Sequence, residues 1–385
     1  MDHSFISPSS SFQWVECPGA PTLQQQFPED EDTQAARDGR AAHWLAEQAL
    51  TTHWESDEDY PTIPDAKQDD AGTSIDQSMR DAAAMYVNDI AYAVRNSPEN
   101  YSLEVEWRLD AIRRINDTCF GTLDACMITA SKLILWDFKY GYAEVSPVWN
   151  WQMLCYLAGV LEALDINGHQ DQTLQVEFRI VQPRCFTGAG PIRSFAFTAS
   201  DARARFNQLR SSAERALSGD PTVIPGSHCK NCSARHGCPG LRKETYFAAD
   251  YVTEAIPERL SAEGLAFELA LLNRCFKAMK SRKEAIETEA ASRIGSGEFI
   301  PGYVTEAAVG NRKWKKSLEE VLGYGAMLGV NLLEDPAPVT PAEAARRLKP
   351  KGVTQEMLDS FVERPSLPPK LKPSKESHAP LIFNK

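Results

Sequence analysis

Residues 118–141 constrain this chain more than any other stretch. Two apolar, β-branched runs, Cys119–Thr129 and Leu133–Tyr140, flank the polar break Ala130-Ser131-Lys132. That is the pattern of two buried strands joined by a tight turn. A turn centred between Ala130 and Ser131 sets Asp124 directly across from Asp137. Opposed residues of an antiparallel pair have Cβ atoms about 5 Å apart. Lys139, two residues beyond Asp137, emerges on the same face. A buried lone carboxylate is costly and two together repel, whereas a divalent cation between them removes both costs. Hard oxygen ligands suit Mg²⁺ or Mn²⁺. The amine could then orient an attacking water or steady charge on a phosphate. The plainer alternative is a Lys139 salt bridge to either carboxylate on a solvated sheet face.

The rest of the chain supplies further candidates. Gly39 precedes a run of strong helix formers, Ala41–Leu50, in which His43 and Glu47 share a face. Thr52–Ser78 is polar, acidic and proline-containing and reads as a loop. Met79–Asn96 is an amphipathic helix. Tyr101–Ile115 alternates as a half-buried strand, with Glu106 on its polar face, where solvent is the first expectation and the metal site the second. Trp151–Leu164 is an apolar helix with Gln152 and Tyr156 one turn apart. Leu174–Gln182 reads as a strand, and Ala199–Leu217 as a helix carrying Arg203, Arg205 and Arg210.

The chain has nine cysteines, an odd number that argues against a disulfide framework. Cys119, Cys126 and Cys155 lie in apolar contexts and read as core. In Cys229-x-x-Cys232, with Cys238 following, the spacing lets one turn present thiolates to one metal. Two completions stand open: His228 or His236 would close a zinc site, and the distant Cys17, at the end of a short helical turn after Ser7-Pro8-Ser9-Ser10, would complete an iron–sulfur cluster.

Taken together these residues resemble the PD-(D/E)XK nucleases, whose core is Asp followed by (Asp/Glu)-x-Lys, here Asp124 and Asp137-Phe138-Lys139. More narrowly they resemble the RecB/AddB-type iron–sulfur exonuclease branch, which includes CRISPR-adaptation nucleases and phage recombination exonucleases. Gly121 and Gly141 also fit that branch. The resemblance implies a restriction-endonuclease-like α/β core, a mixed central sheet flanked by helices. Its Gly-x-x-x-His motif falls on Gly39 and His43 and implies His43 as a metal ligand with Asp124, Asp137 and the Phe138 carbonyl, around Mg²⁺ or Mn²⁺. Lys139 would be catalytic, and the Gln-x-x-x-Tyr pair Gln152 and Tyr156 would contact DNA or position the lysine. One early and three late cysteines, Cys17, Cys229, Cys232 and Cys238, would bind a [4Fe–4S] cluster, with Zn²⁺ as the alternative. The implied activity is a metal-dependent DNA exonuclease of phage-type recombination or repair. By analogy it would make single strands for an annealing protein. The alternative is a nuclease fold that binds DNA or a partner without cleaving.

Length and charge set the frame for that reading. A chain of 385 residues exceeds one ordinary core. Residues 1–240 are expected to hold the nuclease domain and the cluster, 241–363 a helical region, and 364–385 a Pro/Lys-rich extended or disordered tail. Leu265, Leu269, Leu272, Phe276, Met279, Ile286 and Ala290 repeat in alternating fours and threes, with Lys283 interrupting, the seam of a long helix. That seam could pack on the core, pair with a return helix or dimerise, and packing is the expected outcome. A strand is expected at Ile300–Val309. The basic Asn311–Lys316 stretch, with Trp314 at its centre, suits phosphate contact and base stacking as well as it suits a helix start. This C-terminal part also resembles an uncharacterised phage-encoded family that shares the Asn-Arg-Lys-Trp stretch. The net charge of −12 opposes tight DNA binding, although basic residues cluster at Lys277–Lys283, Arg312–Lys316 and Arg346–Lys351. No run of about eighteen apolar residues occurs and the first residues lack an export signal, so a cytoplasmic location, in a bacterial or phage-infected host cell, is expected.

Overall fold

A computed structural model of the chain describes residues 4–27, 33–52, 61–167, 170–185, 189–251, 261–309, 313–314, 316, 318–334, 337–363 and 366–373. Two compact units divide it, Met1–Arg282 and Lys283–Lys385.

In the first unit, the short helices α1 (Ser11–Trp14) and α2 (Ala20–Gln24) precede α3 (Gln34–Thr51) and α4 (Gln77–Arg95). Strands β1 (Tyr101–Leu109), β2 (Gly121–Thr129) and β3 (Lys132–Phe138) follow, then α5 (Trp151–Ala163), α6 (Gln170–Thr173), β4 (Gln175–Val181), β5 (Ile192–Thr198), α7 (Arg203–Ala216) and α8 (Pro239–Tyr251), and α9 (Ala262–Gly295) begins in this unit and continues past its end at Arg282. The strands form one sheet in the order β1-β2-β3-β4-β5. Only β3 and β4 are parallel, as a crossover through α5 requires. The fold is therefore α/β, a mixed five-stranded sheet flanked by helices.

The helices are locally encoded. Thr33 caps α3 by accepting from the Ala36 amide, Asp76 caps α4 at Met79, and Asn150 caps α5 at Met153. Alanines 41, 42, 46 and 49 give α3 a flat face that lies with α4 over Ala125, Met127, Ile134, Trp136 and Phe138. On the other side α5 and α7 cover Leu133, Leu135, Phe178 and Ile180. Alternation along β3 sends successive apolar side chains into these two cores, which is why the strand is buried almost throughout. Gly159 brings α5 close to the sheet, since a Cβ there would stand 2.8 Å from Leu109.

The hairpin register follows the expected turn. The pairs Ile128↔Leu133, Met127↔Ile134, Cys126↔Leu135 and Ala125↔Trp136 lead directly to Asp124 and Asp137 as the next opposed residues. On the other edge of β2, Val105↔Ala125 and Trp107↔Leu123 bracket Glu106 and Asp124. Glu106 itself has φ of 47°, in the left-handed region that non-glycine residues rarely enter.

In α9 the expected seam is not the buried stripe. Leu269 and Phe276 are 61 % and 70 % exposed, while Leu271, Cys275 and Ala278, one step round the helix, are buried. Ala278 packs with Cys229, Cys238 and Leu241. Small residues allow that close approach, and the larger seam residues are left on the exposed side.

In the second unit, β6 (Tyr303–Val309), β7 (Lys313–Trp314), α10 (Leu318–Met327), β8 (Leu333–Glu334), β9 (Ala337–Pro338), α11 (Pro341–Leu348), α12 (Gln355–Asp359), β10 (Val362–Glu363) and β11 (Ser366–Pro373) follow in order. Antiparallel pairs β6/β11, β7/β10 and β8/β9 join the helices. The start of the Pro/Lys-rich tail is thus a paired strand, with the register shift falling between Leu367 and Lys370, where Pro368 and Pro369 cannot donate to a ladder. Residues 374–385 lie outside the described residues. Trp314 is no stacking platform: its ring packs against the small core of Val321, Leu332, Val339 and Leu348, and its indole N–H donates to the Val339 carbonyl at 2.9 Å. Of the basic residues expected to touch phosphate there, Arg312 and Lys315 lie outside the described residues, as does Asn311, and Lys316 pairs with Glu320 at 3.0 Å. Arg346 and Arg347 share one carboxylate, that of Glu343, so that basic cluster is neutralised only in part.

Candidate metal centre and cysteine pocket

The end of the hairpin away from its turn gathers most of the expected site. Asp124 accepts from the Phe138 backbone amide at 2.7 Å, which locks one carboxylate oxygen to the neighbouring strand. His43, on α3, brings its Nδ1 to 3.8 Å from that oxygen. The Phe138 ring lies between two others, His43 at 5.1 Å and Tyr86 of α4 at 4.9 Å. It thereby sets both side chains.

Lys139 ion-pairs with Asp137 at 2.8 Å. Gln152, in the first turn of α5, completes a triangle: it accepts from Lys139 at 3.2 Å and donates to the same Asp137 oxygen at 3.1 Å. Tyr156, one turn on, has its phenol beside Gln152 and sits against Gly121, where a Cβ would crowd both Pro8 and the Tyr156 ring. Glycine at 121 therefore lets the Ser-Pro-Ser-Ser turn and Tyr156 close together over β2. The solvated salt bridge does not describe this arrangement, because Asp137 is only 2 % exposed.

The ligand atoms of His43, Glu106 and Asp124 lie within 4.8 Å of one another. Asp137 stands beside this trio, its charge acting with that of Asp124, and Glu106 takes the third place. Alternation assigned Glu106 to a solvated face. The left-handed backbone at that residue lets it join the site instead, and strain of about 1–3 kcal/mol is typical of such residues. Glu47, on the same face of α3 as His43, contributes its charge to Glu106.

The electrostatics are those of acids crowded out of water. Burial first, and then Asp124 and Glu47, push the Glu106 carboxyl up to about 8. Burial also raises the Asp137 carboxyl, Lys139 pulls it back, and Asp124 adds to the rise. Burial works against the Lys139 ammonium, but Asp137 and then Asp124 outweigh it and hold its pKa above the ordinary value. The phenols of Tyr86 and Tyr156 are raised by burial and then by Asp124. Excess negative charge among buried groups, answered only in part by Lys139, is what a divalent cation would offset. The second Asp137 oxygen, Oδ2, is buried and has no hydrogen-bond partner among the described residues. A buried acceptor of this kind normally has one.

The second constellation lies between the ends of the first unit. Cys17, Cys229, Cys232 and Cys238 are all buried and line one pocket with Ile224, His228 and Leu241. Backbone amides donate to three of the sulfurs: Ile224 to Cys17 and Gly226 to Cys229, both at 3.3 Å, and Leu241 to Cys238 at 3.4 Å. Gln13 donates to the Asn231 carbonyl and the Gly19 amide to Thr222, so the early and late segments are tied together without any metal. His228 spends Nε2 on the Ile224 carbonyl at 2.9 Å, and His236 is packed edge-on against Phe27. No three of the four sulfurs come within 4.8 Å of one another.

Residues 3–378 match the model of a family described as protein of unknown function (DUF2800). No helix among the described residues is long and apolar enough to cross a membrane.

Proposed function

The chain belongs to the DUF2800 family, whose description assigns no activity, and from its own residues we propose that it is a metal-dependent DNA exonuclease of the PD-(D/E)XK type with an iron–sulfur clasp. The observation that carries this reading is the buried, unpartnered oxygen of Asp137, set beside Lys139 and next to the trio of His43, Glu106 and Asp124. His43, Glu106, Asp124 and Asp137, with the Phe138 carbonyl, would hold Mg²⁺ or Mn²⁺. One imidazole among carboxylates favours Mn²⁺ somewhat more than Mg²⁺. The cation supplies charge for the phosphate oxygens and a more acidic water.

The chain's own groups supply the rest. Lys139, held by Asp137 and Gln152, orients the attacking water and steadies the charge that develops on the phosphate. The water oxygen bonds to phosphorus, the bond from phosphorus to the leaving alkoxide breaks, and a proton originating from that water passes to the alkoxide. Tyr156 fixes Gln152 and through it the amine. The substrate is DNA. By analogy with phage recombination, an annealing protein would take up the single strand produced.

At the cysteine pocket, a single Zn²⁺ with bonds of about 2.3 Å would bring its thiolates closer together than any three of these four stand. Their wider spread and the amide-to-sulfur contacts support a [4Fe–4S] cluster, with Zn²⁺ as the weaker alternative. The test is digestion of end-labelled DNA by anaerobically purified protein with Mn²⁺, with and without chelator. Metal-dependent release of nucleotides from the ends is expected. Protein that binds the DNA intact under both conditions would overturn the enzyme and leave a binding protein.

A further inference from the structure

A polar group that neither strand nor sequence motif points to lies under the site. Tyr86 belongs to α4, and its ring is only 2 % exposed, stacked at 17° on the Phe138 ring with centroids 4.9 Å apart. Its hydroxyl is buried and has no hydrogen-bond partner among the described residues. Asp137 Oδ2 is in the same condition. The two orphans do not satisfy each other, and Asp124, Glu106 and Asp137 are, in that order, the charges that bear most on the tyrosine. A phenol buried without a partner costs more than a phenylalanine of the same shape. A buried hydroxyl normally has a hydrogen-bond partner, so tyrosine at this position points to a group that takes its proton.

We infer that the Tyr86 hydroxyl belongs to the metal site as a positioning residue, donating a hydrogen bond to a water held by the divalent cation among Asp124, Glu106 and Asp137. A donor is what the position needs. The charged groups that bear on it are acceptors, and none of them takes its proton. The stack on Phe138 fixes where the hydroxyl points, because Phe138 is itself pinned to Asp124 by its backbone amide. Losing such an outer donor typically weakens metal binding 10- to 100-fold. The inference rests on the metal-site reading above.

The experiment compares the full-length protein with Tyr86→Phe, using Mn²⁺ alone as the probe. Two quantities are measured: the melting temperature after chelator treatment, and the Mn²⁺ dissociation constant by titration. Tyr92→Phe, on an exposed turn of the same helix, is the control and should change neither. For Tyr86→Phe the expected result has two opposite signs. The metal-free protein melts about 2–4 °C higher, since an unsatisfied hydroxyl is gone, and Mn²⁺ binds about 10-fold or more weakly. A tyrosine that serves packing alone would move neither quantity in this way. Equal Mn²⁺ affinity in the two proteins would overturn the role of Tyr86 and leave the metal site standing. A lower melting temperature for the metal-free variant would show that the hydroxyl already has a partner, and would also overturn it. Failure of the wild-type protein to bind Mn²⁺ would overturn the metal site itself, and this inference with it.

Discussion

Single residues carry the chemistry, and Glu106 is the most exposed to test among them. Its folded-state pKa of about 8 lies above the ordinary carboxyl value of 4.5. The carboxyl therefore favours the fold while it is protonated. That contribution is full below the unfolded value and is lost as pH rises through about 8. In chelator-treated protein, Glu106→Gln should match the wild type near pH 4.5 and become progressively more stable than it toward pH 9. Thermal melts across that range check this, and a difference that does not vary with pH would contradict it. Gln152 makes a second prediction. It holds both Lys139 and Asp137, so Gln152→Leu should lower the rate of digestion by about 10²-fold. DNA binding and melting temperature should change little, and single-turnover kinetics would separate the effects.

Among the elements, the hairpin was the most legible in the sequence, and β1 was legible as a strand but not in where it sets Glu106. Two apolar runs around a three-residue polar break leave one sensible register, so the opposition of Asp124 and Asp137 could be counted off. Glu106 could not be placed in that way, because alternation presumes an extended backbone and one residue at φ 47° departs from it. A left-handed glutamate leaves no mark in hydropathy. The long helix shows a different limit. Its period was visible, but which stripe is buried depended on the small residues Cys275 and Ala278 meeting the cysteine pocket, and periodicity favours large side chains. Phe276→Glu should accordingly change stability by no more than about 0.5 kcal/mol, because the ring is 70 % exposed. Trp314→Ala should cost about 3 kcal/mol, because the indole packs in the second unit and bonds Val339. Chemical denaturation checks both. A large loss for Phe276→Glu would show that the seam is covered.

At the scale of the molecule, the first unit holds two candidate sites, one at the sheet and one at the cysteine pocket. The strands carry the acids. The segments before and after the sheet meet at four cysteines, where Gln13 and Gly19 reach across to Asn231 and Thr222. Four distant cysteines could be grouped by their spacing and by the nuclease resemblance, whereas the amide-to-sulfur contacts needed coordinates. Iron analysis and visible absorption of anaerobic protein should report a [4Fe–4S] centre, and Cys17→Ser should lose it and become cleavable near the N-terminus by protease. Colourless wild-type protein with bound zinc would restore the alternative. The most direct measurement of the whole account is digestion of linear DNA in Mn²⁺ by wild-type protein beside Lys139→Ala and Asp137→Ala, with all three shown to be folded by their melts. The account predicts end-directed digestion by the wild type and none by either variant; digestion by the variants at the wild-type rate would contradict it.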